Sequence, residues 1–252
     1  MSSSDSSSKS PALRRQALSR PAFSRRALSL AALHCSLWGA ALLVPGLAQA
    51  TSAAPAAGPT ASPAAKALPK ILVLGDSLSA EYGLARGEGW VALLAQRIKA
   101  QKLPFEVQNA SISGDTTSGG RARLPALLEE HKPAIVIIEL GGNDALRGLP
   151  LMSSSENLSA MVRAATHAKA KVLLLGMQVP PNYGASYGRD FAAMYVEVAK
   201  EQRTALLPFL LEGVADRPDA MEWFQPDRIH PLAKAHPVML DKVWAKLRPL
   251  LR

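Results

Sequence analysis

Residues 70–80 read K-I-L-V-L-G-D-S-L-S-A, and this run constrains the fold more than any other part of the chain. Ile71, Leu72, Val73 and Leu74 are apolar without a polar alternation. Such a run suits a strand covered on both faces, as in the middle of a parallel sheet. Gly75 and Asp76 end it, so Ser77 is expected just past the carboxyl end of a central strand, the edge at which open α/β sheets build their sites. A serine there can present its hydroxyl to solvent and keep its backbone N–H free.

Downstream, strand and helix patterns alternate. Trp90, Leu93, Leu94 and Ile98 recur at helical spacing over residues 89–100, and residues 105–110 alternate as a strand. Leu124, Leu127 and Leu128 mark a helix over residues 121–131, stopped by Lys132-Pro133, and A-I-V-I-I-E-L at 134–140 is a further buried strand. A helix is expected over 155–168, with Ser155 as its cap and Glu156 in its acidic first turn. A strand over 171–177, a helix over 187–202, a short strand over 205–207 and a closing helix over 231–250 complete the series. Five strands alternating with helices imply an α/β fold, a parallel sheet with both faces covered.

At 252 residues and 48% hydrophobic, the chain has material for one domain and a tail. The formal charge of +9 is unevenly spread: residues 1–50 hold six Lys or Arg against Asp5, which leaves 23 basic and 19 acidic residues elsewhere. Those are scattered, whereas a nucleic-acid footprint needs a clustered basic face, so nucleic acid is set aside. Cys35 is the only cysteine, which forbids an intrachain disulfide. Residues 1–26 are basic and Ser-rich, residues 27–47 largely apolar, and Ala48-Gln49-Ala50 is a small-x-small site. This is the layout of a secretory signal peptide, residues 1–50, cleaved after Ala50, which places the product in the periplasm or outside the cell. The alternative is an uncleaved inner-membrane anchor, since the apolar run is long enough to span a bilayer. Ser24-Arg25-Arg26-Ala27-Leu28 matches a twin-arginine signal only in part, and His34 makes Cys35 a poor lipoprotein cysteine. Residues 51–69, rich in Ala, Pro and Ser up to Lys66, form a disordered linker, and residues 70–252 the folded domain.

The strand ends carry polar, glycine-rich turns: Gly75-Asp76-Ser77, Ser113-Gly114-Asp115-Thr116 and Gly141-Gly142-Asn143-Asp144, with Asp227-Arg228-Ile229-His230-Pro231 ahead of the last helix. Each supplies a part that acyl transfer needs. Ser77 can attack a carbonyl, His230 can take its proton, and Asp227 can hold the imidazole tautomer if the segment turns. The N–H groups of Ser77 and Gly114 and the Asn143 amide can face one oxyanion, where a donor is typically worth ~2.7–4 kcal/mol. Each part also has a plain structural reading. Ser77 can be a cap, Asp76 a turn residue, Gly114 a site of positive φ, Asn143-Asp144 a turn, and D-x-x-H a chance pair. His131 suits a helix C-terminus, and His167 and His236 read as structural or exposed. Glu139, in a buried strand, has a structural role, paired with Arg147 or bonded to a loop. The joint occurrence, in this order, favours the chemical reading.

Together, G-D-S-L-S at 75–79, the Gly114 turn, G-G-N-D at 141–144 and D-x-x-H-P at 227–231 resemble the four blocks of the GDSL, or SGNH, hydrolases, over nearly all of residues 70–250. The resemblance implies a three-layer α/β/α flavodoxin-like fold with strand order 2-1-3-4-5. It implies Ser77 as nucleophile, Asp227 and His230 as its triad partners, and Ser77, Gly114 and Asn143 as the oxyanion hole. N-A-S-I-S-G-D-T at 109–116, A-R-L-P-A-L-L at 122–128, E-L-G-G-N-D-A-L-R-G at 139–148 and P-N-Y-G at 181–184 are similar to the bacterial periplasmic acyl-CoA thioesterase I, arylesterase and lysophospholipase group. By that likeness Leu146, Leu149 and Val179 line an acyl pocket, although each also suits a core position. Glu81 and Arg228 stand where the group commonly has glycine; both add charge near the cleft mouth and bear on acyl-chain preference.

The expected activity is therefore serine-dependent hydrolysis of carboxylic esters and thioesters through an acyl-enzyme. The substrate is a small-molecule or lipid ester, contact with membrane lipid is transient, and neither cofactor nor metal is implied. Two rivals stand beside it. One is a carbohydrate O-deacetylase on the same site. The other is a non-catalytic envelope binding protein that cradles an anion on the backbone of residues 113–120.

Overall fold

The structure, a computed structural model, describes residues 67–252. The expected signal peptide, and the linker up to Lys66, lie outside the described residues.

Five strands form one parallel sheet in the order β2-β1-β3-β4-β5. They are β1 (Lys70–Gly75), β2 (Glu106–Asn109), β3 (Ile135–Glu139), β4 (Lys171–Leu175) and β5 (Ala205–Leu207). The most apolar runs take the middle of the sheet. Ile71–Leu74 of β1 pair with Ile135–Ile138 of β3, and all eight side chains are buried. β2 is an edge strand, only half-buried, which is why its sequence alternates. One face is covered by α1 (Trp90–Ala100) and α6 (His236–Leu247), which pack on each other. The other is covered by α2 (Thr117–His131), α4 (Leu151–His167) and α5 (Ala185–Glu201), with the short α3 (Gly142–Leu146) after β3. The three layers and the strand order are those expected from the sequence. Trp90, Phe191 and Tyr195 are the largest fully buried side chains.

Several element boundaries differ from the sequence expectation. α2 begins four residues earlier, at Thr117. The Thr116 hydroxyl accepts from Gly119 N–H and the Asp144 carboxylate accepts from Thr117 N–H, so this start is capped twice. Gly120 in the first turns of α2 serves packing: a Cβ there would lie 2.3 Å from Leu140 Cδ1. α4 starts at Leu151, after Pro150, so Ser155 is not its cap and Glu156 is not in its first turn. Ser154 is instead buried inside the helix and donates to Asp144. G-G-N-D is not a simple turn, since Gly142 and the residues after it form α3. The closing helix is shorter than 231–250, because Pro231 bridges back to Phe224 and Leu232 N–H bonds Trp223 C=O, which draws the segment ahead of α6 into the site loop.

Candidate active site

The exit of β1 sets the position of Ser77. Leu78 N–H donates to Asp76 Oδ1 at 3.0 Å, and Ser79 and Ala80 N–H both bond Asp76 C=O, so the chain turns sharply around Asp76. The turn leaves Ser77 half-exposed and its N–H without a protein acceptor among the described residues. Ser77 Oγ donates to His230 Nε2 at 2.8 Å, across 153 residues of chain.

The D-x-x-H segment is a turn closed by its own aspartate. Asp227 Oδ1 accepts the N–H groups of Ile229 and His230 at 2.9 and 3.0 Å, while Oδ2 accepts His230 Nδ1–H at 2.6 Å. Partial burial pushes the Asp227 carboxyl upward, but the His230 and Ile229 donors outweigh it and hold it at about 2. The turn is anchored by the Phe224–Pro231 bridge and by Gln225, whose Nε2 donates to Tyr82 and Pro231 carbonyls at 2.9 and 3.2 Å. The Tyr82 ring lies 4.3 Å from the His230 ring, centroid to centroid. Ser77, His230 and Asp227 thus form one hydrogen-bonded line at the carboxyl edge of the sheet.

Two further groups come from the loops that follow β2 and β3 at the same edge of the sheet. Gly114, in the loop between β2 and α2, has φ +79°, open to glycine at little cost, and its N–H has no protein acceptor among the described residues. Its carbonyl is held by Arg147 at 2.8 Å. Asn143, in the first turn of α3, donates one amide N–H to Asp76 Oδ2 at 2.9 Å, which leaves the second free. Ser77, Gly114 and Asn143 therefore each retain a spare N–H.

The framework beneath was not legible as such in the sequence. Asp144, read there as a turn residue, is buried and accepts from Thr117 N–H, Thr117 Oγ1 and Ser154 Oγ, locking α3 to the start of α2 and to α4. Arg123 joins the Asp115 carboxylate at 2.8 Å and donates to the Ala110 carbonyl, tying α2 to the end of β2. Tyr195 OH donates to Leu140 C=O at 3.0 Å, immediately before the G-G-N-D segment. Glu139 does not pair with Arg147. Its Oε2 accepts from Ser79 Oγ at 2.7 Å and from Asp76 N–H at 3.3 Å. Burial raises the Asp76 carboxyl to about 6 against the hydrogen bonds it receives, and burial followed by the adjoining Asp76 charge pushes Glu139 well above the ordinary carboxylate range.

Leu146 and Leu149 are not core residues: both are exposed, on and just after α3. Val179 is half-buried and lines a groove of about 300 Å³ with Pro180, Pro181, Gly188 and Arg189; Ser77, His230, Leu146 and Leu149 do not line it. Glu81 and Arg228 both adopt left-handed backbone, at φ +60° and +58°, the region that favours glycine. Arg228 is exposed, but the Glu81 charge is turned inward: its Oε1 accepts Gly87 and Gly89 N–H at 3.0 and 2.9 Å.

Comparison with known proteins identifies the family. Residues 73–238 match the GDSL-like lipase/acylhydrolase family. The chain belongs to this family. Among its members, the esterase TesA of Pseudomonas aeruginosa is 52% identical over 181 residues, which are 72% of this chain and 89% of that one. A thioesterase 1/protease 1/lysophospholipase of Escherichia coli is 42% identical over 181 residues, 72% of this chain and 84% of its own. The crystal structure of a psychrotrophic esterase from Pseudoalteromonas, inhibited by monoethylphosphonate, superposes with TM-score 0.68 at 38% identity, over 72% of this chain and 98% of that one. The GDSL family match begins within β1 and ends in α6, so every residue of the hydrogen-bonded line and all three spare donors fall inside it.

Proposed function

We propose that this GDSL-family hydrolase cleaves carboxylic esters and thioesters through an acyl-enzyme on Ser77. The observation that carries the reading is the continuous line from Ser77 Oγ through the His230 ring to Asp227, beside three unused N–H groups. His230 Nε2 takes the Ser77 proton as the oxygen attacks the acyl carbon, and Asp227 holds Nδ1–H and stabilises the imidazolium. The N–H groups of Ser77 and Gly114 and the free Asn143 N–H receive the oxyanion. His230 then gives the proton to the departing alcohol, thiol or lysolipid head group. In the second step a water deprotonated by His230 releases the acid and regenerates Ser77.

For substrate, the reading is a medium- or long-chain ester of lysophospholipid type. Ile112, Leu146, Leu149, Met152 and Ile229 are exposed apolar side chains, and all lie on segments that follow the carboxyl ends of strands, as Ser77 does. Apolar groups so placed suit an acyl chain and brief contact with a lipid surface. The relatives named for esterase, thioesterase and lysophospholipase activity support the same substrate class. The basic, apolar and Ala48-Gln49-Ala50 order of the N-terminus supports export to the periplasm with cleavage after Ala50. An exported enzyme does not meet acyl-CoA, which leaves lipid and other esters. Among the described residues no helix is long and apolar enough to cross a membrane.

The test is hydrolysis of a p-nitrophenyl acyl ester series by the protein and by Ser77→Ala. The expected result is an optimum at medium or long chains and a loss of at least about 10⁴-fold in kcat in the variant. Activity confined to acetyl esters would move the assignment to an O-deacetylase. No activity from folded protein would leave the anion-binding reading.

A further inference from the structure

Asp76 and Glu139 form a buried carboxyl pair directly behind the amide of Asn143. Glu139 is fully buried and Asp76 almost so, at 0% and 3% exposure. Neither meets a Lys or Arg side chain among the described residues. The other titratable groups that face the pair are His230, from the segment before α6, and Tyr195, from α5. Two carboxylates in one dry site without a cation cannot both ionise, because their repulsion is not offset and neither is hydrated. One carboxyl must keep a proton and donate it to the other. Glu139 has the deeper burial, and its Oε1 has no hydrogen-bond partner as an acceptor. The Asp76 carboxyl receives two N–H donors: its Oδ1 accepts Leu78 N–H and its Oδ2 accepts Asn143 Nδ2–H, while the Asp76 backbone N–H donates to Glu139 Oε2.

We infer that Glu139 is a positioning residue for the oxyanion hole, acting through Asp76 to fix which end of the Asn143 amide faces the substrate. An amide can turn over and present Oδ1 in place of Nδ2. An anionic Asp76 accepts only a donor, so it forces Nδ2 toward itself and directs the second N–H of the same nitrogen outward. A neutral Asp76 would carry a proton that Asn143 Oδ1 can accept, and the amide could then turn its oxygen inward. Glu139, by holding the shared proton, keeps Asp76 in the accepting form. Burial, and after it the adjoining Asp76 charge, push Glu139 well above the ordinary carboxylate range, the direction this arrangement requires. Ser79 Oγ–H on Glu139 Oε2 fixes the rotamer from the far side.

The inference rests on the oxyanion role given above to Asn143, and the experiment separates the two. Steady-state p-nitrophenyl ester hydrolysis is measured for Asn143→Ala, Glu139→Leu and Glu139→Gln. Glutamine is the neutral isostere: its amide N–H can donate to Asp76 while its oxygen accepts from Ser79 and the Asp76 N–H. The expected result is a kcat lowered at least about 10-fold in Glu139→Leu with KM within about twofold, and a kcat within about threefold of the parent in Glu139→Gln. Asn143→Ala with unchanged kcat would sink the oxyanion reading itself. Asn143→Ala impaired but Glu139→Leu at parental kcat would overturn the role of Glu139 alone. A second readout stands even if Glu139→Leu fails to fold: the side-chain carboxyl ¹³C shift of Glu139 in the intact protein, assigned by its loss in Glu139→Gln. It should stay at the protonated value through neutral pH; a titration near the ordinary glutamate value of 4.5 would refute the proton-sharing pair.

Discussion

Replacing Glu81 by glycine, the residue its backbone conformation favours, should destabilise the protein. At φ +60° a non-glycine residue carries about 1–2 kcal/mol of strain. Against this, Glu81 Oε1 accepts two backbone N–H groups, from Gly87 and from Gly89, the residue that precedes α1. Gly89 has no side chain with which to cap that helix, and the carboxylate takes over the task while meeting the positive end of the helix dipole. Hydrogen bonds to a charged group contribute about 1.5–3 kcal/mol each; in this partly exposed turn the lower end applies, or about 3 kcal/mol for the pair. Glu81→Ala loses both bonds and keeps the strain, a cost of about 3 kcal/mol. Glu81→Gly loses both, recovers about 1–2 kcal/mol of strain and gives back about 0.5–1 kcal/mol to the freer unfolded chain, a net cost of about 2 kcal/mol. For a domain of this size that is a fall in Tm of about 4–8 °C for glycine and about 6–12 °C for alanine. Glu81→Gln keeps an acceptor oxygen and should lie between glycine and the parent. Thermal melts followed by circular dichroism, with urea titrations for ΔG, give the order directly. A glycine variant as stable as the parent, or an alanine variant more stable than glycine, would refute the reasoning.

Three other outcomes follow from buried polar groups. His236→Ala removes the Nδ1 acceptor of Trp90 N–H in a site 2% exposed, and should cost about 2–3 kcal/mol by urea denaturation. Burial depresses His236 below its ordinary 6.5, so its contribution is complete above that pH and is lost as pH falls below it; the acid loss of stability should be shallower in the variant. Asp144→Ala strands Thr117 N–H and two hydroxyls, and should cost about 2–4 kcal/mol while loosening α3, read as faster amide exchange over residues 142–146. The Asp76–Glu139 pair acts with the opposite sign: carboxyls raised in the folded state stabilise it fully below the unfolded value of 3.8 for Asp76, and that stability is lost as pH rises through about 6 and beyond. Denaturation between pH 5 and 8 should therefore show a flatter fall for Glu139→Gln than for the parent, and equal slopes would place the pH dependence elsewhere.

The parts of this architecture that are local in sequence were the parts that could be read from it. β1 and β3 lie between two helical layers, so both faces of each strand are apolar and the strands appear as unbroken runs. Asp227 closes its own turn onto His230 three residues on, so the D-x-x-H geometry is encoded in a stretch short enough to recognise. The framework residues have no comparable signature. Asp144 sits in a turn-like tetrapeptide, and only the approach of Thr117 and Ser154, from two other helices, makes it a hub. Arg123 and Tyr195 are a surface-type cation and a core aromatic on ordinary helix faces until their loops arrive. Ser155 is not a cap because α4 already starts at Leu151, and a sequence does not say that the neighbouring Ser154 points inward to Asp144.

Ser77 and His230 come from the first and last loops at the carboxyl edge of the sheet, with 153 residues between them. Trp90 N–H on His236 Nδ1 fastens the helix after the first loop to the helix after the last. The Ser77–His230 pair is therefore also a latch between the two ends of the domain. A chain still emerging from the ribosome, or one clipped anywhere before His230, has Ser77 without its hydrogen-bond partner. The Ser77–His230 contact is therefore made all at once, with the docking of the final helix, and partially built forms of the domain lack it.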